Sequence, residues 1–126
     1  MPAAVIGIGI DSVEVDRFRT VLARRPGLAQ RLFTDAEREA VSGGSADPTA
    51  RLAARFAAKE AVMKALGVGL GSFSFRDVEV VSASSGAPSV ILWRRAAALA
   101  SSLGVESWRL SLTHTEMTAG AVAVAL

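Results

Sequence analysis

Two lysines and one glutamate in a single predicted helix are the residues of this sequence most suited to chemistry. Lys59, Glu60 and Lys64 fall within RFAAKEAVMKALG, residues 55–67. An anionic ligand lying over the helix would satisfy both lysines, and a metal ion would satisfy the glutamate. This combination of residue types points to a site that binds an anion together with a metal.

Helical periodicity places Lys59 where an apolar side chain is expected. At 100° per residue it falls inside an apolar stripe, and a buried, unpaired ammonium is costly. One interpretation is that Lys59 extends along Phe56 to water while Glu60 and Lys64 form an i,i+4 surface pair. The other is that a functional site lies there. The stripe consists of Leu52, Phe56, Met63 and Leu66.

A metal site at Glu60 requires a further oxygen ligand, for which Asp11 is a candidate. Asp11 follows the apolar run at residues 5–10, which predicts a buried strand that ends at this carboxylate. Mg²⁺ usually takes one or two protein carboxylates and completes its shell with water and substrate phosphates. Asp11 and Glu60 would thus make a minimal magnesium site for a pyrophosphate, with nearby lysines neutralising phosphate oxygens.

The elements expected around these residues alternate between strands and helices. Thr34 to Glu37 is a capping-box pattern, and Asp47 followed by Pro48 predicts the start of the long helix. The pattern predicts an α+β fold with a mainly antiparallel sheet packed on a long helix. Strands are predicted at 5–10, 77–82, 89–93, 108–113 and 119–126, and helices at 15–23, 35–41, 48–66 and 94–103, with a break at 42–45.

Length and composition indicate a single globular domain spanning residues 1–126. Hydrophobic residues make up 51% and charged residues 21%, as in ordinary folded proteins. The chain has no cysteine, so it has neither disulfides nor thiolate metal sites. We expect a cytoplasmic location, because the N-terminus lacks the pattern of a signal peptide and no apolar run reaches membrane-spanning length.

The positive charge is local rather than global. The sequence pI is about 9.9, but the formal net charge is only +2. Arg17, Arg19, Arg24 and Arg25 fall within nine residues, which indicates either a patch for an acidic partner or a solvated helix face. No aromatic RNA-binding motif or basic tail accompanies them, so we expect no nucleic-acid partner.

Several segments together resemble the 4′-phosphopantetheinyl transferases, most closely the small holo-[acyl-carrier-protein] synthase type. The two signature segments are GIGIDSVEVDRF at 7–18 and RFAAKEAVMKALG at 55–67. An isolated KExxxK is common, whereas this ordered set over nearly the whole chain is specific. The further segments are RLFTDAERE at 31–39, SGAP at 85–88 and SLTHT at 111–115.

The resemblance implies transfer of 4′-phosphopantetheine from coenzyme A to a serine of apo-acyl carrier protein, with Mg²⁺ required and adenosine 3′,5′-bisphosphate released. Asp11 and Glu60 would hold the metal, and Lys64 would lie against the reacting phosphates. The general base is either Glu60, directly or through a metal-bound water, or Lys64 with a depressed pKa. Glu14 is expected to support only the first helix.

The resemblance also implies residues that bind coenzyme A. Arg55 and Lys59 would be further phosphate or structural contacts, and Thr113 and His114 would help to bind the nucleotide end. Gly67, Gly86 and Pro88 would complete this set. The segment SGAP has Ala87 where the family commonly has a basic residue, so one cationic contact to coenzyme A is missing.

The partners implied by the resemblance are the acidic carrier protein and two further copies of the chain. Arg17 and Arg24, seven residues apart on the first helix, would receive the carrier protein. Each site would lie between neighbouring subunits of a homotrimer. Two alternatives are a non-catalytic family member that binds carrier protein or coenzyme A, and a basic module that binds an anionic partner without Mg²⁺.

Overall fold

The fold is α+β, as the sequence predicts, with antiparallel strands packed on one long helix. We describe it from a computed structural model, which describes residues 4–43 and 47–126. The strands are β1 (Gly7–Glu14), β2 (Val78–Ser82), β3 (Pro88–Leu92), β4 (Trp108–His114) and β5 (Thr118–Ala125). The helices are α1 (Val15–Arg24), α2 (Leu28–Leu32), α3 (Asp35–Ser42), α4 (Pro48–Ala65) and α5 (Arg94–Ser102), with a 3₁₀ turn at Phe75–Asp77.

The main sheet has three antiparallel strands in the order β1-β5-β4. Gly9 pairs with Ala123, Ile10 with Val122 and Asp11 with Ala121. The alanines of β5 are buried, whereas the residues between them face the other side of the sheet. Small side chains on the buried face let α4 lie close against the strands. Strands β2 and β3 form a separate antiparallel pair.

The glycines of β1 allow its backbone to touch the backbone of α4. A Cβ added to Gly7 would lie 1.9 Å from the carbonyl oxygen of Ala65, and one added to Gly9 would lie 1.7 Å from that of Ala61. No side chain fits at such separations, so only glycine permits this packing. The side chains of alternate β1 residues point to opposite faces, which places Asp11 on the same side as Gly9.

Helix α4 is buried on nearly all sides, which corrects the predicted single apolar stripe. Its alanines pack against the sheet, and Met63 is buried as predicted. Leu52 and Phe56, by contrast, are only half-buried. Leu52, Phe56, Glu60 and Lys64 are spaced four residues apart and form one ridge along the helix, and this ridge reaches the surface. The neighbouring strands and helices cover most of the rest of α4.

The outer face of the main sheet exposes large apolar side chains, so the predicted buried strand is buried on one face only. Ile8 is 63% exposed and Ile10 66%, while their neighbour Val122 on β5 is 37% exposed. The strand also extends to Glu14, so Asp11 lies within β1 rather than at its end. Uncovered apolar side chains in this number commonly mark an interaction surface.

Most predicted elements are confirmed within a few residues. The capping box at Thr34 and Glu37 is formed, and Asp47 caps α4 with Pro48 in its first turn. Gly67 ends that helix with φ +74°, a conformation that favours glycine. Helix α2 was not predicted, because Pro26 and Gly27 suggested only a turn. Helix α3 ends at Ser42, and the rest of the predicted break lies partly outside the described residues.

None of the helices in residues 4–43 and 47–126 has the length and hydrophobicity needed to cross a membrane.

We predict that Gly9→Ala lowers the free energy of unfolding by about 3 kcal/mol, the upper end of the usual cost of overpacking. The new methyl group meets the carbonyl of Ala61 and forces β1 away from α4. Urea denaturation measures the loss. Gly69→Ala is the matched control, since nothing lies within 4 Å of its added Cβ. Equal stability of the two variants would contradict the close contact.

Candidate active site

Asp11 and Lys64 meet where β1 crosses α4. The ammonium of Lys64 lies 3.0 Å from Oδ1 of Asp11 and also donates a hydrogen bond to the carbonyl of Ile10, at 3.0 Å. The Asp11 side chain is 17% exposed, whereas that of Lys64 is 53% exposed. The contact between Gly9 and α4 brings these two side chains together. The predicted pair between Lys64 and Glu60 is therefore replaced by a pair with Asp11.

Glu60 lies one helical turn before Lys64 and shares a cleft with Asp11. This carboxylate cleft has a volume of about 550 Å³ and lies between β1, α1 and α4. Burial, followed by the Asp11 carboxylate, raises the pKa of Glu60, while Lys64 opposes the rise. Two carboxylates are thus close enough to repel each other at one end of a largely apolar cleft. Its apolar residues include Val13, Phe18, Val21, Leu28, Leu32, Phe56, Leu70 and Phe75.

The site offers two carboxylates to a metal ion rather than a complete ligand set. Among the described residues, no group of three His, Cys, Asp or Glu side chains is arranged to hold a metal. Glu14 lines the carboxylate cleft but does not complete such a group. Two oxygen ligands suit a hard cation that takes its remaining ligands from water and from a bound phosphate.

A second depression adjoins Asp11 on the outer face of the main sheet. This sheet groove has a volume of about 510 Å³ and is lined by Asp11, Lys64 and Thr113, among others. Asp11 therefore lies between the carboxylate cleft and the sheet groove. Ile10 and Val122, which belong to the exposed apolar face, also line the groove. The groove thus connects the charged residues with that face.

Lys59 lies in the protein interior, and this position corrects both interpretations drawn from its sequence context. Its side chain is fully buried, so it neither reaches water nor faces a ligand cavity. The ammonium donates to Oε1 of Glu37 at 2.7 Å and to the carbonyls of Phe75 and Val78, at 2.9 and 2.5 Å. Burial lowers the pKa of Lys59, and Glu37 opposes the shift. Of the two roles expected for Lys59, the structural one fits.

Glu37, the partner of Lys59, is a residue that sequence reasoning did not assign to any site. The capping box predicted its contact with Thr34, and its carboxylate does accept the backbone N–H of Thr34 at 2.8 Å. Its partnership with Lys59 spans 22 residues in sequence, and no local pattern indicates it. The signal that could have suggested such a partner was the placement of Lys59 inside an apolar stripe.

Arg55 is also buried, and it lines neither the carboxylate cleft nor the sheet groove. It is only 8% exposed, and its Nε finds no acceptor within the described part of the chain. One guanidinium nitrogen donates to the carbonyl of Arg51 at 3.5 Å. Burial, followed by the charge of Arg51, lowers the pKa of Arg55. A guanidinium in this position is short of acceptors.

The remaining predicted ligand residues lie apart from the two carboxylates. His114 ends β4 and is exposed, but it is not among the described residues that line either cavity. Gly86 lies in the turn between β2 and β3 with φ +87°, and Pro88 begins β3. Gly67 follows α4 and is exposed. Within one copy of the chain, Asp11 lies with Glu60 in the cleft and with Lys64 and Thr113 in the groove. The other four residues line neither cavity.

The two arginines predicted to bind a partner are both exposed on α1. Arg17 lines the carboxylate cleft, together with Val21 one turn later. Arg24 lies at the end of the same helix, outside the cleft lining. Arg19, from the same basic cluster, pairs with Asp16 and Asp47 and is thus neutralised locally.

A cavity larger than the carboxylate cleft lies at the base of the β2–β3 hairpin. It has a volume of about 850 Å³, and both of its carboxylates, Asp77 and Glu79, already accept hydrogen bonds from neighbouring side chains. Arg94 pairs with the buried carboxylate of Asp77 at 3.2 Å, and the indole of Trp93 donates to Glu79 at 3.2 Å. We assign the chemistry to the smaller cleft, because two carboxylates, Asp11 and Glu60, lie close enough together there for Asp11 to raise the pKa of Glu60.

We predict that Asp11→Asn lowers the pKa of Glu60, because it removes a neighbouring negative charge that disfavours ionisation. Lys64→Met should raise the pKa of Glu60 above its value in the wild-type protein, since Lys64 stabilises the ionised form. Carboxyl-carbon NMR titration in EDTA measures both changes. Asp35→Asn, at an exposed carboxylate on α3, is the control and should leave the Glu60 titration unchanged. A Glu60 pKa that does not fall in Asp11→Asn would mean that the two carboxylates are not coupled.

Comparison with known proteins identifies the family of the chain. The model of the 4′-phosphopantetheinyl transferase superfamily matches residues 7–123. A holo-[acyl-carrier-protein] synthase of Frankia casuarinae is 53% identical, over 98% of this chain and 95% of the relative.

Solved structures of the same kind of enzyme superpose over nearly the whole chain. The holo-[acyl-carrier-protein] synthase of Neisseria meningitidis gives a TM-score of 0.88 at 30% identity, covering 98% of this chain and 99% of that one. The Helicobacter pylori enzyme, solved in complex with coenzyme A, gives 0.82 at 28% identity, covering 94% and 99%. The chain therefore belongs to the holo-[acyl-carrier-protein] synthases of the 4′-phosphopantetheinyl transferase superfamily.

Proposed function

We propose that this protein transfers 4′-phosphopantetheine from coenzyme A to a serine hydroxyl of apo-acyl carrier protein in a Mg²⁺-dependent reaction. Adenosine 3′,5′-bisphosphate is the second product. The observation that carries the proposal is the meeting of Asp11, Glu60 and Lys64 in a member of this family. Residues 1–126 form one transferase domain in this proposal, which acts in the cytoplasm.

The two carboxylates fit a magnesium ion that is shared with the substrate. Asp11 and Glu60 supply hard oxygen ligands in one cleft, and their mutual repulsion would be relieved by a cation. Asp11 already contacts a cationic group, the ammonium of Lys64, at 3.0 Å. Bound there, the metal would neutralise charge on the pyrophosphate of coenzyme A.

The residues of the chain then position the groups that react. The serine oxygen forms a bond to the phosphorus nearest the pantetheine, and the bond from that phosphorus to the bridging oxygen breaks. Lys64 is exposed enough to contact the phosphate oxygens and balance their charge. The serine proton passes to a base, for which Glu60 is the first candidate because its carboxylate lines the cleft that would receive the serine. Lys64 is the second.

Binding of coenzyme A draws on residues of the chain beyond the two carboxylates. Thr113 lines the sheet groove beside Asp11 and Lys64, which suits a contact to the nucleotide end. The buried guanidinium of Arg55 lacks a carboxylate partner among the described residues, and a phosphate would supply the missing acceptor. His114, Gly67, Gly86 and Pro88 complete the proposed set. The Helicobacter pylori relative solved with coenzyme A supports this ligand.

A homotrimer would bring separated residues into one site. The exposed apolar face contains Ile8, Ile10 and Val122, and such a face is suited to packing against another copy. This face borders the sheet groove at Asp11, so a neighbouring subunit would lie beside the carboxylates. His114 of one copy could then complete the site that Glu60 of the next copy begins.

The carboxylate cleft also suits the carrier protein. The apolar cleft lining would bury apolar side chains of the partner, while Arg17 at its edge would attract an acidic surface. Arg24, exposed on the same helix, extends the positive surface. A carrier protein seated here would present its serine beside Asp11 and Glu60.

The transfer is tested by intact mass of an apo-acyl carrier protein incubated with this protein, coenzyme A and Mg²⁺. We expect a gain of one phosphopantetheine that EDTA abolishes and that Glu60→Gln slows by at least about 100-fold, the usual contribution of a general acid or base. Glu39→Gln, at an exposed carboxylate of α3, should react normally.

Coenzyme A binding without transfer to several carrier proteins would favour a non-catalytic member, with Ala87 as its sequence basis. Binding of anions without Mg²⁺ or coenzyme A would favour the basic module.

The shared site is tested by mixing two inactive variants. Glu60→Ala and His114→Ala should each be weak alone. After subunit exchange at equal amounts, about a quarter of the interfaces in a cyclic trimer pair two intact residues, so activity should recover to about a quarter of wild type. Native mass spectrometry of isotope-labelled subunits verifies the exchange. Complete exchange without recovery would place Glu60 and His114 in different sites.

A further inference from the structure

The buried pair of Glu37 and Lys59 connects four parts of the fold at one point. Oε1 of Glu37 accepts from Lys59 and from the backbone of Thr34, and Oε2 accepts the N–H of Val80 at 2.9 Å. The remaining two donors of Lys59 go to backbone carbonyls of the segment that leads into β2. All three ammonium donors are used, so α3, α4, the 3₁₀ turn and β2 are held by one charged pair.

A contribution to folding stability does not by itself explain why a buried ion pair occupies this position. Removing two charges from water is costly, and an apolar pair of the same volume often gives equal or greater stability. Glu37 is 1% exposed and Lys59 is 0% exposed, so both carry the full desolvation cost. What the pair supplies, and an apolar pair could not, is a fixed position for the carbonyl groups that the ammonium binds.

One of these carbonyls belongs to Phe75, whose ring lies in the carboxylate cleft. The ring of Phe75 stacks on that of Phe56 with centroids 5.4 Å apart, and Phe56 stacks on Phe18 at 5.2 Å. The three rings line the same cleft as Glu60 and Arg17. We call Phe18, Phe56 and Phe75 the aromatic floor. The hydrogen bond from Lys59 thus holds one end of this floor.

The same lysine is the neighbour of Glu60 on α4, but it does not set the position of Glu60. Lys59 and Glu60 are consecutive, so their side chains leave the helix about 100° apart. Lys59 points to Glu37 on the inner side, whereas Glu60 lines the carboxylate cleft beside the close contact of α4 with β1, which does not involve the buried pair. Loss of the hydrogen bond from Lys59 would free the Phe75 end of the aromatic floor, although neither Glu37 nor Lys59 lines the cleft.

We propose that Glu37 and Lys59 are positioning residues that hold the aromatic floor of the cleft in the geometry that the carrier protein requires. This inference rests on the proposed function, since it concerns the docking of that protein substrate. The coenzyme A contacts proposed above do not involve the aromatic floor. The pair should therefore affect the two substrates unequally.

The test replaces both charges at once, because Lys59→Met alone would leave a buried carboxylate without its cation. In Glu37→Gln/Lys59→Met the volumes are kept, and the single Gln oxygen can accept from one of the two backbone N–H groups, those of Thr34 and Val80, that Glu37 binds. We expect a folded protein in which KM for apo-carrier protein rises about tenfold, as expected of a small misplacement of binding groups. KM for coenzyme A should stay within about twofold. Circular dichroism and steady-state kinetics measure these quantities.

Val62→Ala is the matched control, since it removes packing from α4 at a fully buried position without any polar anchor. It should lower stability but leave both KM values unchanged. Phe75→Leu provides a second test, because it alters the floor and leaves the buried pair intact. It should raise KM for the carrier protein and spare KM for coenzyme A.

The outcomes separate the positioning role from the proposed function. An unchanged KM for carrier protein in the folded double variant, or an equal rise in both KM values, overturns the positioning role alone. If the double variant does not fold, an unchanged KM in Phe75→Leu overturns it. A wild-type protein that does not transfer phosphopantetheine overturns both proposals.

Discussion

The structure depends on the close contact between the backbone of β1 and that of α4. At Gly7 and Gly9 the strand lies so near the helix carbonyls that no side chain can be added. This contact decides where Asp11 lies, because the strand alternation that turns Gly9 toward the helix also turns Asp11 toward it. The carboxylate then meets Lys64, and Glu60 follows one turn away. A pair of glycines thus brings Asp11 to Glu60 and Lys64, which lie about 50 residues further along the chain.

The same contact leaves the other face of β1 exposed and free to bind another protein surface. Ile8 and Ile10 alternate with the glycines, so the packing that buries the glycines exposes the isoleucines. In the proposed trimer, this exposed face would carry the subunit contact, and the site would lie at its border. One alternating strand would therefore serve both the position of the metal ligand and the assembly of the site.

Sequence reasoning predicts the elements well because their signals are local. The capping box at Thr34, the Pro48 start of α4 and the Gly67 stop are each set by backbone groups within a few residues. The sequence also singles out Asp11, Glu60 and Lys64, and the structure brings them together. Periodicity alone does not connect residues so far apart along the chain, whereas the resemblance to a family does.

The failures of sequence reasoning concern contacts between distant elements. Lys59 was expected to reach either water or a ligand, but its partner Glu37 lies on another helix, where only the fold brings it near. Helical periodicity predicted that Leu52 and Phe56 face the core, because the large apolar side chains of α4 define its predicted buried face. The helix instead packs its alanines on the sheet, where glycine and alanine permit a shorter distance.

The most direct test is a crystal structure of the protein with Mg²⁺ and coenzyme A. The proposed site predicts one metal ion with oxygens of Asp11 and Glu60 at about 2.1 Å, completed by water and pyrophosphate oxygens. Lys64 would then contact phosphate rather than Asp11 alone. A metal bound elsewhere, with coenzyme A present and Asp11 still paired only with Lys64, would contradict the assignment of these carboxylates to the metal.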